Sequence, residues 1–197
     1  MNGTRVYLDD NATAPLRPEA RAAMIEAMDV AGNPSSVHAE GRAAKALLER
    51  ARGEVAAAVG CKPSEVVFTS GATEAAQVLG RLGGDVVIAP TAHDALWAQG
   101  NGAGCIAGVV ANTPATYAMG LANSETGIVS EPPPRDADGV IEIGGRAAGW
   151  LLLDVTQAVG RIPFSFAWSG ADLAILSAHK LGGPKGVGAL IVRDGFE

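Results

Sequence analysis

Short apolar runs recur along the chain from residue 66 onward, separated by polar or glycine-rich turns. Their apolar positions are mostly continuous rather than alternating, which is typical of strands buried on both faces of a parallel sheet. The pattern predicts an α/β, doubly wound, mostly parallel seven-stranded sheet. The predicted strands are 66–70, 85–90, 105–110, 116–122, 150–155, 173–176 and 187–192.

Helical patterns precede the strands and alternate with several of them. Helices are expected over residues 19–28 and 39–59, the second ended by Gly60, with others beginning near residues 71 and 91. Between residues 100 and 149 the helical linkers are hard to find, and three consecutive prolines at 132–134 exclude a helix interior. Because neighbouring parallel strands need long crossovers, irregular structure is expected there.

Composition narrows the class of protein. The chain has 197 residues, is 48% hydrophobic and carries a formal net charge of -6, which indicates a globular protein and argues against nucleic acid as a partner. The amino terminus does not resemble a signal peptide, and no apolar run approaches the ~20 residues that span a membrane. Two cysteines are too few for a disulfide framework or a zinc site, so a reducing cytoplasm is the expected location and no metal is expected.

Lys180 is the most informative candidate. It follows the apolar strand at 173–176, after Ser177 and His179, and precedes a glycine-rich loop. The carboxyl ends of strands in α/β folds are where ligands bind, and an amine held there can form a Schiff base with a carbonyl. The alternative is an ordinary surface lysine in a loop.

Other polar groups also follow apolar runs. Small residues around Ala72 and Thr73 open a helix, which is typical of a phosphate site, although an ordinary helix cap has the same pattern. His93 lies between a strand and a helix, where capping or solvation is the alternative. Asn123 closes a strand, where a turn role is the alternative.

Asp154 ends the apolar run at 150–155, and Gln157 follows three residues later. A buried carboxylate needs a cationic or protonated partner, and a protonated pyridine nitrogen is such a group. Together, a phosphate cradle, this carboxylate, an imidazole and a Schiff-base lysine predict a pyridoxal phosphate pocket.

Six segments resemble the class V aminotransferase group of fold-type I pyridoxal phosphate enzymes, and within it the cysteine desulfurases. They run in family order along the chain, and the last is the most specific. The segments are YLDDNATAP (7–15), NPSSVH (33–38), VFTSGATEA (67–75), NSETG (123–127), DVTQAVGR (154–161) and SAHKLGGPKGVG (177–188).

The resemblance implies a role for each candidate residue. Lys180 would hold pyridoxal 5'-phosphate as a Schiff base and move the substrate's α-proton, while His93 would stack on the ring and assist proton transfer. Asp154 would pair with the ring nitrogen, Gln157 would bond the ring hydroxyl, and Asn123 would line the ring and substrate. The phosphate ligands would be Ala72, Thr73, Ser177 and His179.

The resemblance also implies an antiparallel last strand and two parts of the chain: an N-terminal arm with the first helix (1–32) and the cofactor-binding large domain (33–197). The family's persulfide cysteine lies well beyond the Schiff-base lysine, and neither Cys61 nor Cys105 matches it. The family's carboxyl-terminal small domain is also absent. We therefore expect the chain, taken alone, to be weakly active or inactive.

The activity implied is conversion of L-cysteine to L-alanine, with sulfur passing to an enzyme cysteine as a persulfide. A homodimer is implied, and a sulfur-acceptor or scaffold protein in iron–sulfur cluster biosynthesis is a candidate partner. Selenocysteine lyase or another class V aminotransferase-like activity is a close alternative. A non-catalytic paralogue that binds the cofactor or a partner is an alternative of a different kind.

Overall fold

The computed structural model describes residues 5–100 and 115–196 and contains a seven-stranded sheet. The strand order is β1-β7-β6-β5-β3-β2, and β4 pairs with β5 beside this path. The strands are β1 (Val66–Thr69), β2 (Val86–Ile88), β3 (Ala115–Gly120), β4 (Ile141–Ile143), β5 (Arg146–Asp154), β6 (Leu173–Ser177) and β7 (Gly188–Val192).

The direction of the strands confirms the predicted fold class. β2, β3, β5 and β6 are parallel neighbours, whereas β7 runs antiparallel between β1 and β6. Since β1 and β6 are both antiparallel to β7, they run in the same direction. The carboxyl ends of β1, β2, β3, β5 and β6 therefore meet at one edge of the sheet.

The sequence pattern did not predict the hairpin that β4 forms with the start of β5. β4 is antiparallel to the start of β5, and Gly144 and Gly145 connect them with positive φ angles of 57° and 77°. Two consecutive residues in this conformation form the tight turn that suits a hairpin, and glycine adopts it without strain. β5 consequently begins at Arg146 rather than near residue 150. The strand predicted at 105–110 lies outside the described residues.

The two long helices have the predicted positions. They are α1 (Pro18–Met28) and α2 (Ala39–Val59); α2 starts where His38 Nδ1 accepts a hydrogen bond from Gly41 N and ends at left-handed Gly60. The other helices are short: α3 (Ala72–Ala76), which continues as a 3-10 turn over Gln77–Arg81, and α4 (Asp94–Trp97). Further 3-10 turns cover Pro63–Glu65, Phe166–Trp168 and Ala178–Lys180.

Both faces of the sheet are covered, as the continuous apolar strands predicted. Leu151 and Leu153 of β5 pack on one face in a cluster that includes Ala56 and Val59 of α2. Leu152 points to the other face, where its cluster contains residues of α3 and α4. Alternate positions of one strand thus enter different cores. Within the described ranges, no helix is both long and apolar enough to cross a membrane.

Candidate active site

A cavity of about 480 Å³ lies at the sheet edge where the parallel strands end. It is lined by every residue that the sequence singled out, contributed by the turns after β1, β2, β3, β5 and β6. These residues are Ala72, Thr73, His93, Asn123, Asp154, Gln157, Ser177, His179 and Lys180.

Asp154 is the last residue of β5 and is only 8% exposed. Its Oδ1 accepts a hydrogen bond of 2.9 Å from Thr156 N. Burial raises the pKa of the Asp154 carboxyl, and hydrogen bonds from Thr156 and the charges of His93 and Lys180 oppose that rise. Among the described residues no basic group lies within ion-pair distance of it. The carboxylate therefore lacks the cationic partner that burial calls for.

Thr156 also lines the cavity, and the sequence pattern gave no reason to select it. Its side-chain oxygen is buried and forms no hydrogen bond of regular geometry among the described residues, although the hydroxyl lies near enough to the Asp154 carboxyl to lower the pKa of that group. Buried hydroxyls in proteins are usually satisfied, so an orphaned one beside a cavity is typical of a place that a polar ligand occupies. No local sequence signal distinguishes this threonine from one in an ordinary turn.

The turn between β1 and α3 meets the end of β6 across the cavity. Ala72 N donates to Ser177 Oγ across 2.8 Å, so this helix-start amide already has a partner. The Ser177 hydroxyl keeps its own proton to donate. A Cβ on Gly188 would lie 2.5 Å from Gly71 Cα, so the strand and the turn approach each other as closely as glycine permits.

His93 combines the capping role and the cavity position. It is the residue before α4, and its Nδ1 accepts a hydrogen bond from Ala95 N across 3.0 Å. When the ring is neutral, this bond places its proton on Nε2, because the nitrogen that accepts cannot carry it. The imidazole is exposed at the cavity and its orientation is fixed by the helix.

Asn123 uses both ends of its amide to join two loops. Its Oδ1 accepts from the backbone of Glu125 and Thr126, at 2.9 and 2.8 Å, and its Nδ2 donates to Thr91 O at 3.0 Å. Asn123 thereby holds the loop after β3 to the loop after β2. The turn role and the cavity position are both present in this residue.

Lys180 is half-buried at the end of the 3-10 turn after β6. Its Nζ donates to the carbonyl oxygen of Asn11 across 2.7 Å. Asn11 belongs to the N-terminal arm, residues 5–17, which forms hydrogen bonds to the cavity-lining residues Gln157, His179 and Lys180. The sequence gave this arm no role in the site.

His179 connects the same turn to the arm. Ala14 N donates to the His179 carbonyl oxygen across 2.8 Å, and His179 Nδ1 lies 3.1 Å from Thr13 Oγ1. Burial lowers the pKa of His179, and the positive charges of Lys180 and Lys185 lower it further. The imidazole is consequently neutral at pH 7 and serves as a hydrogen-bonding group.

Comparison with known proteins places this fold and cavity in a family. The family described as aminotransferase class-V matches residues 6–96 and 106–197. The chain belongs to the class-V aminotransferase family. Pyridoxal phosphate is the cofactor that membership of this family generally implies.

Three similar proteins illustrate the relationship. A cysteine desulfurase from Frankia sp. (strain EuIK1) is 36% identical over 94% of this chain and 52% of its own length. One from Cereibacter sphaeroides is 37% identical over 97% and 56%. The X-ray structure of a NifS-like protein from Rickettsia africae ESF-5 superposes with a TM-score of 0.77 at 28% identity, covering 98% of this chain and 59% of that protein. The chain spans about half the length of these relatives.

Proposed function

We propose that the chain is the cofactor-binding part of a cysteine desulfurase, which binds pyridoxal 5'-phosphate at Lys180 and acts on L-cysteine. The observation that carries the proposal is the buried Asp154 carboxylate, which lacks a basic partner among the described residues and lines one cavity with an amine. The names of the relatives support the choice of reaction.

The donor set fits the cofactor. Pyridoxal phosphate, when bound, supplies an aldehyde that an amine can capture and a ring that withdraws electrons from the α-carbon of an amino acid. Asp154 would bind the ring nitrogen and hold a proton on that atom. Ser177, with its hydroxyl proton free, would bind the phosphate together with Thr73 and His179, and Ala72 would contribute through the amide that orients the Ser177 hydroxyl. The orphaned Thr156 hydroxyl is a further polar group facing the same ligand.

The remaining side chains would orient the reactants. The exposed imidazole of His93 would lie against the ring, and Gln157 would donate to the ring hydroxyl. One N–H of Gln157 Nε2 already donates to Asn11 O across 2.9 Å, which leaves its second N–H for this bond. Asn123 would line the ring and substrate. Lys180 Nζ would capture the aldehyde and later move the α-proton of the substrate.

The cysteine that receives sulfur is proposed to lie in the part of the relatives' length that this chain does not span. Cys61 is a poor candidate, because burial and the charge of Glu65 raise the pKa of its thiol to about 11. It also lies just beyond α2, before the start of β1, whereas the cavity is at the other end of that strand. Cys105 lies outside the described residues.

The proposal also covers the domain division, the oligomer and the location. The arm with α1 (1–32) is proposed as separate from the cofactor-binding domain (33–197), because α1 buries none of its residues. Exposed apolar side chains on the arm and before α2, such as Leu8 and Val37 at 87% and 88%, support a homodimer. A cytoplasmic location and a sulfur-acceptor partner in iron–sulfur cluster assembly follow from the proposed activity.

The test is covalent capture of the cofactor. The protein is mixed with pyridoxal phosphate, reduced with borohydride and digested, and the modified peptide is found by mass spectrometry. We expect modification at residue 180, its loss in Lys180→Ala, and no change in Lys45→Ala, which alters an exposed lysine of α2. Capture that persists unchanged in Lys180→Ala would refute the proposal.

A second function, cofactor binding without turnover, is favoured by the unreactive environment of Cys61. Alanine and sulfide are measured after L-cysteine is added to the loaded protein. Capture at Lys180 without either product would support binding alone for this chain, and products from selenocysteine only would favour selenocysteine lyase. We expect little turnover from the 197-residue chain.

A further inference from the structure

Arg161 gathers three separate segments around the candidate lysine. Its Nη1 donates to Asn11 Oδ1 across 2.6 Å and also to Gln157 Oε1. Its Nη2 donates to two backbone carbonyls, those of Asp10 at 3.0 Å and Lys180 at 2.8 Å. One guanidinium therefore links the arm, the turn after β5 and the turn after β6.

The same hydrogen-bond network includes the Lys180 amine. The carbonyl oxygen of Asn11 accepts from Lys180 Nζ at 2.7 Å and from Gln157 Nε2 at 2.9 Å. Gln157 thus donates to the arm with one end of its amide and accepts from Arg161 with the other. A further bond, from Asn11 Nδ2 to Ser124 O at 3.0 Å, holds the arm from its other side.

The chemistry of the site requires a planar fork rather than a point charge. The four acceptors are neutral oxygens, and two guanidinium nitrogens serve two acceptors each. A lysine has one nitrogen with three N–H donors on a flexible stem and cannot serve all four acceptors in a fixed geometry. Among the described residues Arg161 forms no ion pair, so these oxygens account for its placement.

We propose that Arg161 is a positioning residue for Lys180: it fixes arm residues 10 and 11 over the lysine, so that the Asn11 carbonyl holds the amine whenever the amine is not covalently engaged. The inference rests on the proposed function in taking Lys180 as the cofactor lysine. It adds a defined place for the released amine next to the cavity. It also explains why the arm is hydrogen-bonded to residues that line the cavity.

The first measurement uses the protein without cofactor. Hydrogen exchange of the arm amides, residues 10–14, is followed by mass spectrometry in Arg161→Gln, Arg161→Lys and the control Arg50→Gln, which alters an exposed side chain of α2. We expect exchange about tenfold faster in Arg161→Gln, only partial protection in Arg161→Lys, and no change in the control. Unchanged exchange in a folded Arg161→Gln protein would overturn the proposal.

The second measurement reports on the amine itself. Lysines are acetylated briefly, and the labelling of Lys180 is divided by that of the exposed Lys185 in the same sample. Loss of the arm's carbonyl should raise this ratio several-fold in Arg161→Gln, whereas a general loss of stability would not favour one of the two lysines. Asn11→Ala, which keeps Arg161 but removes one of its two arm-side acceptors, serves if Arg161→Gln fails to fold and should raise the ratio as well.

The outcomes separate this inference from the proposed function. An unchanged labelling ratio in the folded variants overturns the role of Arg161 and leaves cofactor capture by Lys180 untouched. Capture that does not depend on Lys180 overturns the proposed function, although the arm exchange would still respond to Arg161.

Discussion

The backbone N–H of Thr156 donates to Oδ1 of Asp154 across 2.9 Å, inside the turn that follows β5. This bond partly offsets the cost of burying the carboxylate, which is 8% exposed. Burial nevertheless raises the pKa of Asp154. A protein that buries a carboxylate in this way loses stability unless a cation arrives. We therefore propose that the residue is placed for a ligand rather than for the fold.

Replacing Asp154 with asparagine should separate stability from ligand binding. Because the pKa of Asp154 is higher in the folded state than its ordinary 3.8, its contribution to stability is largest below that value and is lost as pH rises. Without cofactor, Asp154→Asn should therefore unfold at a higher urea concentration than the wild type at pH 7.5. Its free energy of unfolding should be greater by about 1 kcal/mol or more, and this gain should shrink at lower pH. Retention of pyridoxal phosphate on a desalting column should fall.

Asp138→Asn, in an exposed turn, is the matched control and should change neither stability nor retention. If Asp154→Asn were less stable than the wild type at pH 7.5, the carboxylate would be part of the structural framework and the assignment would be wrong.

His179 should make the protein sensitive to mild acid. Its pKa is lowered in the folded state by burial and by Lys180 and Lys185, so the unfolded chain takes up a proton at higher pH than the folded one. The contribution is present above the ordinary value of 6.5 and is lost as pH falls below it. Urea unfolding of wild type and His179→Gln at several pH values between 7.5 and 5 should give curves that converge toward acid. Parallel curves over that range would contradict the expectation.

Gly188→Ala should disturb the turn between β1 and α3 through packing. The new Cβ would lie 2.5 Å from both Gly71 Cα and Leu176 O, which are backbone atoms that cannot swing away. We expect a loss of about 1–3 kcal/mol in the free energy of unfolding, together with weaker binding of pyridoxal phosphate, because the Ala72 to Ser177 bond must shift. Urea unfolding and equilibrium dialysis measure the two effects.

Gly53→Ala is the opposite case and the control for the same substitution. Gly53 lies inside α2, where a Cβ would meet nothing within 4 Å. Alanine should increase the free energy of unfolding by about 0.5–1 kcal/mol and leave cofactor binding unchanged. Equal losses from both variants would show that Gly188 has no special place beside the cavity.

Cys61 should resist alkylation at neutral pH. With a pKa of about 11, roughly one thiol in a thousand is ionised at pH 8. Iodoacetamide labelling, read at the peptide level to separate Cys61 from Cys105, should be slow and should still accelerate between pH 9 and 10. Urea-denatured protein should react faster at pH 8. Rapid labelling of native Cys61 at pH 7 would reopen its candidacy as the sulfur acceptor.

The sequence pattern predicted strands correctly where the apolar runs were continuous. The prediction failed where a strand was half-polar. The strand of residues 173–176 was recognised because every position is apolar and buried. β4 was missed because Ile141–Ile143 is short and includes the exposed Glu142, and its Gly144–Gly145 turn looked like part of an irregular segment. α3 gives way to a 3-10 turn after Ala76, where Val78 and Gly80 disfavour a continuous helix.

The cavity side chains were found because each follows a strand, and strand ends meet by topology. The N-terminal arm was missed for a physical reason: Asn11 and Lys180 are 169 positions apart, and no local pattern indicates that they touch. Arg161 and Thr156 were missed for the same reason, since their roles depend on oxygens and spaces supplied by distant segments. Sequence pattern locates groups on one edge, but not the partners that fix them.

β7 is inserted between β1 and β6, and among the described strands it is the one neighbour of β1. During synthesis on the ribosome, β1 therefore emerges long before the strand that anchors it, and it waits unpaired while nearly all of the intervening chain is made. The turn that begins α3 is held to Ser177 only after that late strand arrives. We therefore expect loading of a phosphate-bearing vitamin only after this strand has emerged, and a nascent chain stalled before residue 188 should be unable to retain it.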